Sequence, residues 1–178
     1  MDAPDLRYPV GKFERPTKPL TPDQRREFID AIAAVPSRLA DAIRGLSPAQ
    51  LDTPYRPGGW AVRQVVHHLP DSHMNSYVRF KLALTEEEPT IKPYEENLWA
   101  QLADSRETPV ETSLALLENL HKRWTILLRS LKPGDFVRNF RHPELGLTSL
   151  DQALALYAWH GRHHVAHITA LRERNAWS

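Results

Sequence analysis

Near the C-terminus, the residues spaced three and four apart read Leu154, Tyr157, His160, His164, His167 and Leu171. On an α-helix these positions share one face. Its two ends are apolar and call for packing, so the histidines between them are packed as well. A buried neutral imidazole has one donor and one acceptor to satisfy, and leaving such a group unpartnered costs roughly 2–7 kcal/mol. The stripe therefore demands a fold whose middle supplies those partners, through hydrogen bonds or a metal ion. His160 and His164, four apart, stand one above the other and can reach one cation. The rival arrangement turns the helix so that these histidines form a solvated face or a hydrogen-bonded cluster.

The rest of the chain reads as further helices. Pro4, Pro9, Pro16 and Pro19 make residues 1–20 an extended arm rather than a packed element. Thr21-Pro22-Asp23-Gln24 is a capping-box start, followed by the stripe Phe28, Ile32, Val35, Leu39 and Ile43, which Pro36 should kink. Ser47-Pro48-Ala49-Gln50 repeats the signal for a short turn. A second long helix opens at Trp60, after Pro57-Gly58-Gly59, and carries Val62, Val65, Val66, Leu69, His73, Tyr77, Phe80 and Leu84. Pro70 should interrupt it, since proline removes a backbone donor and disfavours helical geometry at Leu69. Residues 85–108 form a long connection with a helical piece near Tyr94 to Leu102. Thr108-Pro109-Val110-Glu111 reads as another capping box, opening a third long helix through Leu117, His121, Trp124 and Leu128 to Pro133-Gly134. No hairpin signal, repeat or low-complexity tract is evident. Four helices around one core, within a single domain spanning 1–178, is the economical architecture.

The third imidazole should come from the second long helix. At about 100° per residue, His73 lies in the centre of the apolar stripe, His68 borders it beside Val65, and His67 points further away. His68 is favoured, and the small residues Ala61 and Ser72 on its face leave room for an ion. His67 is the alternative, because Pro70 can rotate this turn. His73 and His121 read as satisfied core histidines, His73 with a possible place behind a ligand, and His142 as a loop residue able to reach a cleft.

Composition removes whole classes of chemistry. The chain has no cysteine, which rules out disulfides, thiolate metal sites and a protein thiol nucleophile. A formal charge of +1 gives no support to nucleic acid or an acidic membrane as the main partner. The start of the chain has no signal-peptide pattern and no apolar run approaches a membrane span, so a cytoplasmic protein is expected. Three imidazoles without a protein anion leave coordination positions open for water or substrate, as in a catalytic site. These ligands suit zinc, with nickel, iron or copper as alternatives, over magnesium or calcium. Trp60, Tyr94, Trp99 and Trp159 could line a substrate cleft. Asp71, Glu95, Glu144 and His163 are the candidates for proton transfer, and none can be assigned the role. A closed site with His163 or His167 as fourth ligand would instead indicate a non-enzymatic metal-binding stress protein.

Long strings now in view carry a more specific likeness. They include Arg7-Tyr8-Pro9-Val10-Gly11, the run Thr53-Pro54-Tyr55-Arg56-Pro57-Gly58-Gly59-Trp60, Val62-Arg63-Gln64-Val65-Val66-His67-His68-Leu69, Arg79-Phe80-Lys81-Leu82-Ala83-Leu84-Thr85, Ile91-Lys92-Pro93-Tyr94, His142-Pro143-Glu144, and Tyr157-Ala158-Trp159-His160-Gly161-Arg162-His163-His164-Val165-Ala166-His167-Ile168. Across nearly its whole length the chain resembles the YfiT-like branch of the DinB superfamily. The resemblance implies an all-α four-helix bundle, often homodimeric, with a three-histidine divalent-metal site. It also implies a metal-dependent hydrolase acting on a small molecule, or a transferase using a low-molecular-weight thiol such as bacillithiol. The family's histidine-before-leucine falls on His68 and its paired histidines on His160 and His164. Pro70 departs from the pattern, where a small helix former is expected.

Overall fold

The computed structural model describes residues 5–177, so the first four residues of the arm lie outside the described residues. The elements in chain order are α1 (Pro22–Ala33), α2 (Val35–Ile43), α3 (Pro48–Leu51), α4 (Val62–Thr85), α5 (Glu96–Trp99), α6 (Ala103–Glu107), α7 (Val110–Ser130), β1 (Asn139–His142), β2 (Gly146–Ser149) and α8 (Leu150–Arg174). The fold is all-α in class, a four-helix bundle of the kind expected. Its four columns are α1 with α2, α4, α7 and α8. The α1–α2 column packs on α7 and α8, and α4 packs on α7 and α8 from the other side. None of the described helices is long and apolar enough to cross a membrane.

Caps start several of these helices. Thr21 accepts from the Gln24 amide while the Gln24 side chain accepts from the Thr21 amide, and Ser47–Gln50 and Ser149–Gln152 repeat the arrangement. The capping box read at Thr108 does not form. Helix α7 begins after Pro109 with no side-chain cap, the fixed φ of the proline standing at its entry. The predicted kink at Pro36 takes the form of a break between α1 and α2 at Ala34. Pro70 does not interrupt its helix: α4 runs unbroken from Val62 to Thr85. Its missing hydrogen bond is offset by burial, since Val65, Val66 and Leu69 are all fully buried. The second long helix starts two residues later than Trp60, and the piece near Tyr94–Leu102 is only α5.

A two-stranded antiparallel hairpin departs from the all-helical expectation. β1 and β2 pair from Asn139 with Ser149 to His142 with Gly146, and Gly146 takes φ +70° in the turn. Each strand has four residues, too few for an alternating pattern to stand out. The hairpin delivers His142 to the bundle and leads directly into α8. The arm lacks regular structure, as read, but it is docked. Trp159 Nε1 donates to the Gly11 carbonyl at 3.1 Å, and Arg15 donates to the Leu145 and Leu147 carbonyls at 2.8 and 2.6 Å.

Two apolar clusters divide the bundle along its axis. One gathers Ile29, Ile32, Phe80, Trp124, Leu128 and Leu154, the other Val35, Leu39, Val65, Leu69, Leu117 and Ile168. On α4, α7 and α8 the histidine-bearing turns fall between the two, so the imidazoles form a polar layer sandwiched by apolar cores. The close approach of α8 to α2 depends on Gly161, where a Cβ would meet Val35 Cγ2 at 2.3 Å. Gly161→Ala is expected to lower stability by about 1–3 kcal/mol through overpacking, although alanine favours helix by about 1 kcal/mol. Urea denaturation checks this, and an unchanged or raised midpoint would contradict the close packing.

Candidate metal centre

Helices α4 and α8 meet at their histidine-bearing turns. His68 Nε2 lies 3.3 Å from His160 Nε2. Ligand nitrogens of His68, His160 and His164 all fall within 4.8 Å of one another, and among the described residues this is the group of histidines and carboxylates so arranged. His68 and His164 are buried, whereas His160 is half-buried and borders a cavity. The indole of Trp60 covers the cluster, with its ring 4.8 Å from that of His68 and nearly parallel to that of His164.

His67 is turned away. Its Nδ1 lies 2.7 Å from Ser113 Oγ on α7, outside the cluster. A residue step of about 100° separates the two neighbours, and the unbroken helix through Pro70 preserves that step.

The cluster can coordinate a divalent metal ion, and its chemistry fits one. Burial pushes the pKa of His68 down to about 4 and those of His160 and His164 well below the ordinary histidine value, so at neutral pH all three rings are in the form that ligates. Nitrogens each about 2.0–2.1 Å from one tetrahedral zinc lie about 3.3–3.4 Å apart, which matches the separation of the His68 and His160 Nε2 atoms. Buried Nδ1 of His164 has no hydrogen-bond partner, an imbalance that a ligated and reoriented ring would remove.

The other histidines have different tasks. His73, fully buried, bonds His160 and His121. His163 and His167 hold each other through their Nε2 atoms at 3.0 Å, beneath the arm and Tyr55. They therefore do not join the three-histidine group. His142 accepts from the Glu144 amide at 3.2 Å and reaches the cavity beside His160.

That cavity, about 350 Å³, is walled by Ser72, Arg79, Tyr94, Glu96, Glu144 and Tyr157 among others. Of the proton-transfer candidates, Glu95 and Glu144 line it, whereas Asp71 and His163 do not. Asp71, pushed up to about 6 by burial and then by Asp104, sits elsewhere on α4. Glu96, next to Glu95, carries no mark in the sequence that sets it apart; in the fold its pKa is raised by burial, then by Glu144 and Glu95. Arg79 is equally silent in the sequence, because one arginine on a helix gives no local signal of facing a cavity. Trp99 borders a neighbouring cavity with Tyr94 rather than this one, and Trp159 lies under the arm, stacked on His163.

Comparison with known proteins places these features in a family. The sequence profile of the DinB superfamily matches residues 31–168. A protein of Bacillus mycoides and one of Bacillus cereus, each bearing the name "Putative metal-dependent hydrolase", are 58% identical over 173 residues, covering 97% of this chain and 99% of theirs. The solved structure of YfiT from Bacillus subtilis, described as a probable metal-dependent hydrolase with an unusual four-helix bundle topology, superposes with a TM-score of 0.94. It is 50% identical, covering 97% of this chain and 99% of that one. The chain belongs to the DinB superfamily, and YfiT is a relative across almost its entire length.

Proposed function

We propose that this protein is a divalent-metal-dependent enzyme whose ion is held by His68, His160 and His164 and acts on a small-molecule substrate. One observation carries the reading: three neutral imidazoles converge, with no carboxylate among them, and one of the three, His160, lines a cavity that holds acids and an arginine. A divalent ion at such a site supplies Lewis acidity, making a small nucleophile easier to ionise and an electrophile more reactive. The residues of the chain provide the rest. Three histidines bind, leaving coordination positions free, Trp60 shields the buried side from water, and Arg79 and Tyr94 offer hydrogen-bond donors to a substrate in the cavity. Glu144 and Glu95 are the groups placed to hold or move a proton there.

Zinc is the metal we assign on ligand type, with nickel or iron as competitors. Hydrolysis is the leading reaction, supported by the descriptions of the relatives. Transfer of a thiol such as bacillithiol uses the same activation of a nucleophile, and the chain's lack of cysteine requires that any thiol come from a co-substrate. We further propose a single domain, a homodimer and a cytoplasmic location.

Metal content of purified variants tests the site. His68→Ala, His160→Ala and His164→Ala should each lose most bound ion, a fall in affinity of at least about 100-fold, while His67→Ala retains it. Stoichiometric metal in His160→Ala, or its loss in His67→Ala alone, overturns the assignment. The reaction is then read by offering metal-loaded protein an ester and amide panel, and separately bacillithiol with a chromogenic electrophile. Turnover that is absent in His164→Ala identifies which nucleophile is used, and no turnover in either assay removes the enzymatic reading.

A further inference from the structure

We propose that His121 and His73 are positioning residues that fix the tautomer of His160, so that its Nε2 presents a lone pair to the ion. The proposal rests on His160 being a ligand, as argued above.

The geometry is a chain of three hydrogen bonds through the middle of the bundle. His121 Nδ1 lies 2.8 Å from the Ile32 carbonyl oxygen. His73 Nδ1 lies 2.8 Å from His121 Nε2, and His160 Nδ1 lies 3.1 Å from His73 Nε2. A carbonyl oxygen can only accept. His121 must therefore carry its proton on Nδ1, which leaves Nε2 as an acceptor. His73 must then donate from Nδ1 and accept on Nε2, and His160 must donate from Nδ1. For three neutral rings this is the arrangement that satisfies every contact, and it ends with a bare Nε2 on His160, the atom 3.3 Å from His68 Nε2. His73 is 0% and His121 2% exposed, so water does not compete for these bonds. Support of a ligand's second nitrogen by a hydrogen-bond acceptor is a general way to orient it and raise its basicity; here two further imidazoles carry that support from α1 across α7 and α4 to α8.

The anchor exists because of Pro36. In a continuous helix the amide four residues after Ile32 would donate to its carbonyl, and that residue is proline, which has no N–H. The break between α1 and α2 thus frees the oxygen that His121 uses. Two sequence features with no evident connection, a proline in the first long stripe and a histidine in the third, meet at one hydrogen bond.

The test compares His121→Leu with His121→Gln. Leucine removes the acceptor for His73 and frees the chain to reverse its donors, which would place the proton of His160 on Nε2. Glutamine keeps an acceptor oxygen and a donor nitrogen. Zinc affinity, measured by competition with a chromophoric chelator, should fall about 10- to 100-fold in His121→Leu and stay within about threefold of wild type in His121→Gln. A second reading is independent of metal: long-range ¹H–¹⁵N spectra of metal-free wild type should show His121, His73 and His160 all protonated on Nδ1. A His160 ring protonated on Nε2 in that spectrum overturns the proposal whether or not either variant folds. Unchanged zinc affinity in folded His121→Leu overturns it too. Loss of the ligand reading itself would show separately, as metal retained by His160→Ala.

Discussion

Lowering the pH from about 7 to about 5 is expected to destabilise the metal-free protein by several kcal/mol. Burial holds the pKa of His121 at about 4 and that of His167 at about 3, against an ordinary value of 6.5. For His121 a hydrogen bond to the Ile32 backbone opposes the shift without reversing it; for His167 neighbouring His163 and arginines add to it. Above pH 6.5 both folded and unfolded states keep these rings neutral, and their stability contribution is intact. As the pH falls through 6.5, the unfolded chain takes up protons that the folded one refuses, and stability drains until the folded pKa is reached. His121 loses roughly 2 kcal/mol by pH 5, since one unit of pKa difference corresponds to about 1.4 kcal/mol. His167 lies nearer the surface, where solvent screens its surroundings, and its share is about 1–2 kcal/mol. The two together remove about 3–4 kcal/mol from a domain stability that is typically 5–15 kcal/mol. The remaining histidines of the layer are shifted in the same direction. Thermal denaturation with excess chelator should show a midpoint lower by about 6–16 °C or more at pH 5 than at pH 7. Equal midpoints at the two pH values would mean that the histidine layer is hydrated rather than buried.

Replacing Asp151 by alanine should cost about 3–5 kcal/mol. Its carboxylate takes two bonds from Arg25, Nε to Oδ1 and Nη2 to Oδ2, both at 2.8 Å, and a third from the Leu20 amide at 3.0 Å. Asp151 is 2% and Arg25 9% exposed. Truncation strands a buried guanidinium beside the ring of Phe136. It also removes a negative charge from the first turn of α8, where the helix dipole favours one. The exposed pair Arg129–Asp30, at 2.9 Å, provides the contrast, and Asp30→Ala should cost less than about 1 kcal/mol. Urea denaturation of both variants measures the difference. A loss below about 1 kcal/mol for Asp151→Ala would show that Arg25 finds water or another partner. The double variant Arg25→Met, Asp151→Leu should recover much of the lost stability, because it leaves no charge behind.

Asp151 also shows how far sequence reading reaches. Its place at the start of the last long helix gives no sign of its partner, since its arginine lies more than a hundred positions away on α1. The same division runs through the candidate site. His160 and His164 are visible as a pair because helical periodicity is a local property, repeated in every turn. A rotation of about 100° favours His68 over His67, yet Pro70 leaves the sequence ambiguous by putting the helix itself in question. Tertiary packing supports His68: α4 continues through the proline, and Ser113 of α7 takes the His67 ring. The hairpin is invisible in the sequence because pairing between two four-residue strands is a non-local bond with almost no local pattern.

Periodicity, caps and composition by themselves determined that this chain makes long amphipathic helices, that one buried stripe carries histidine, and that a metal site here has no thiolate to draw on. These follow from forces acting within a few turns of one helix. Which histidines face one another, which carbonyl anchors the His121–His73–His160 chain, and which acids border the cavity were decided only when four columns packed together. Direction across a bundle depends on the rotation and depth of each neighbour, and a shift of one residue on any column turns a buried partner into a solvated one.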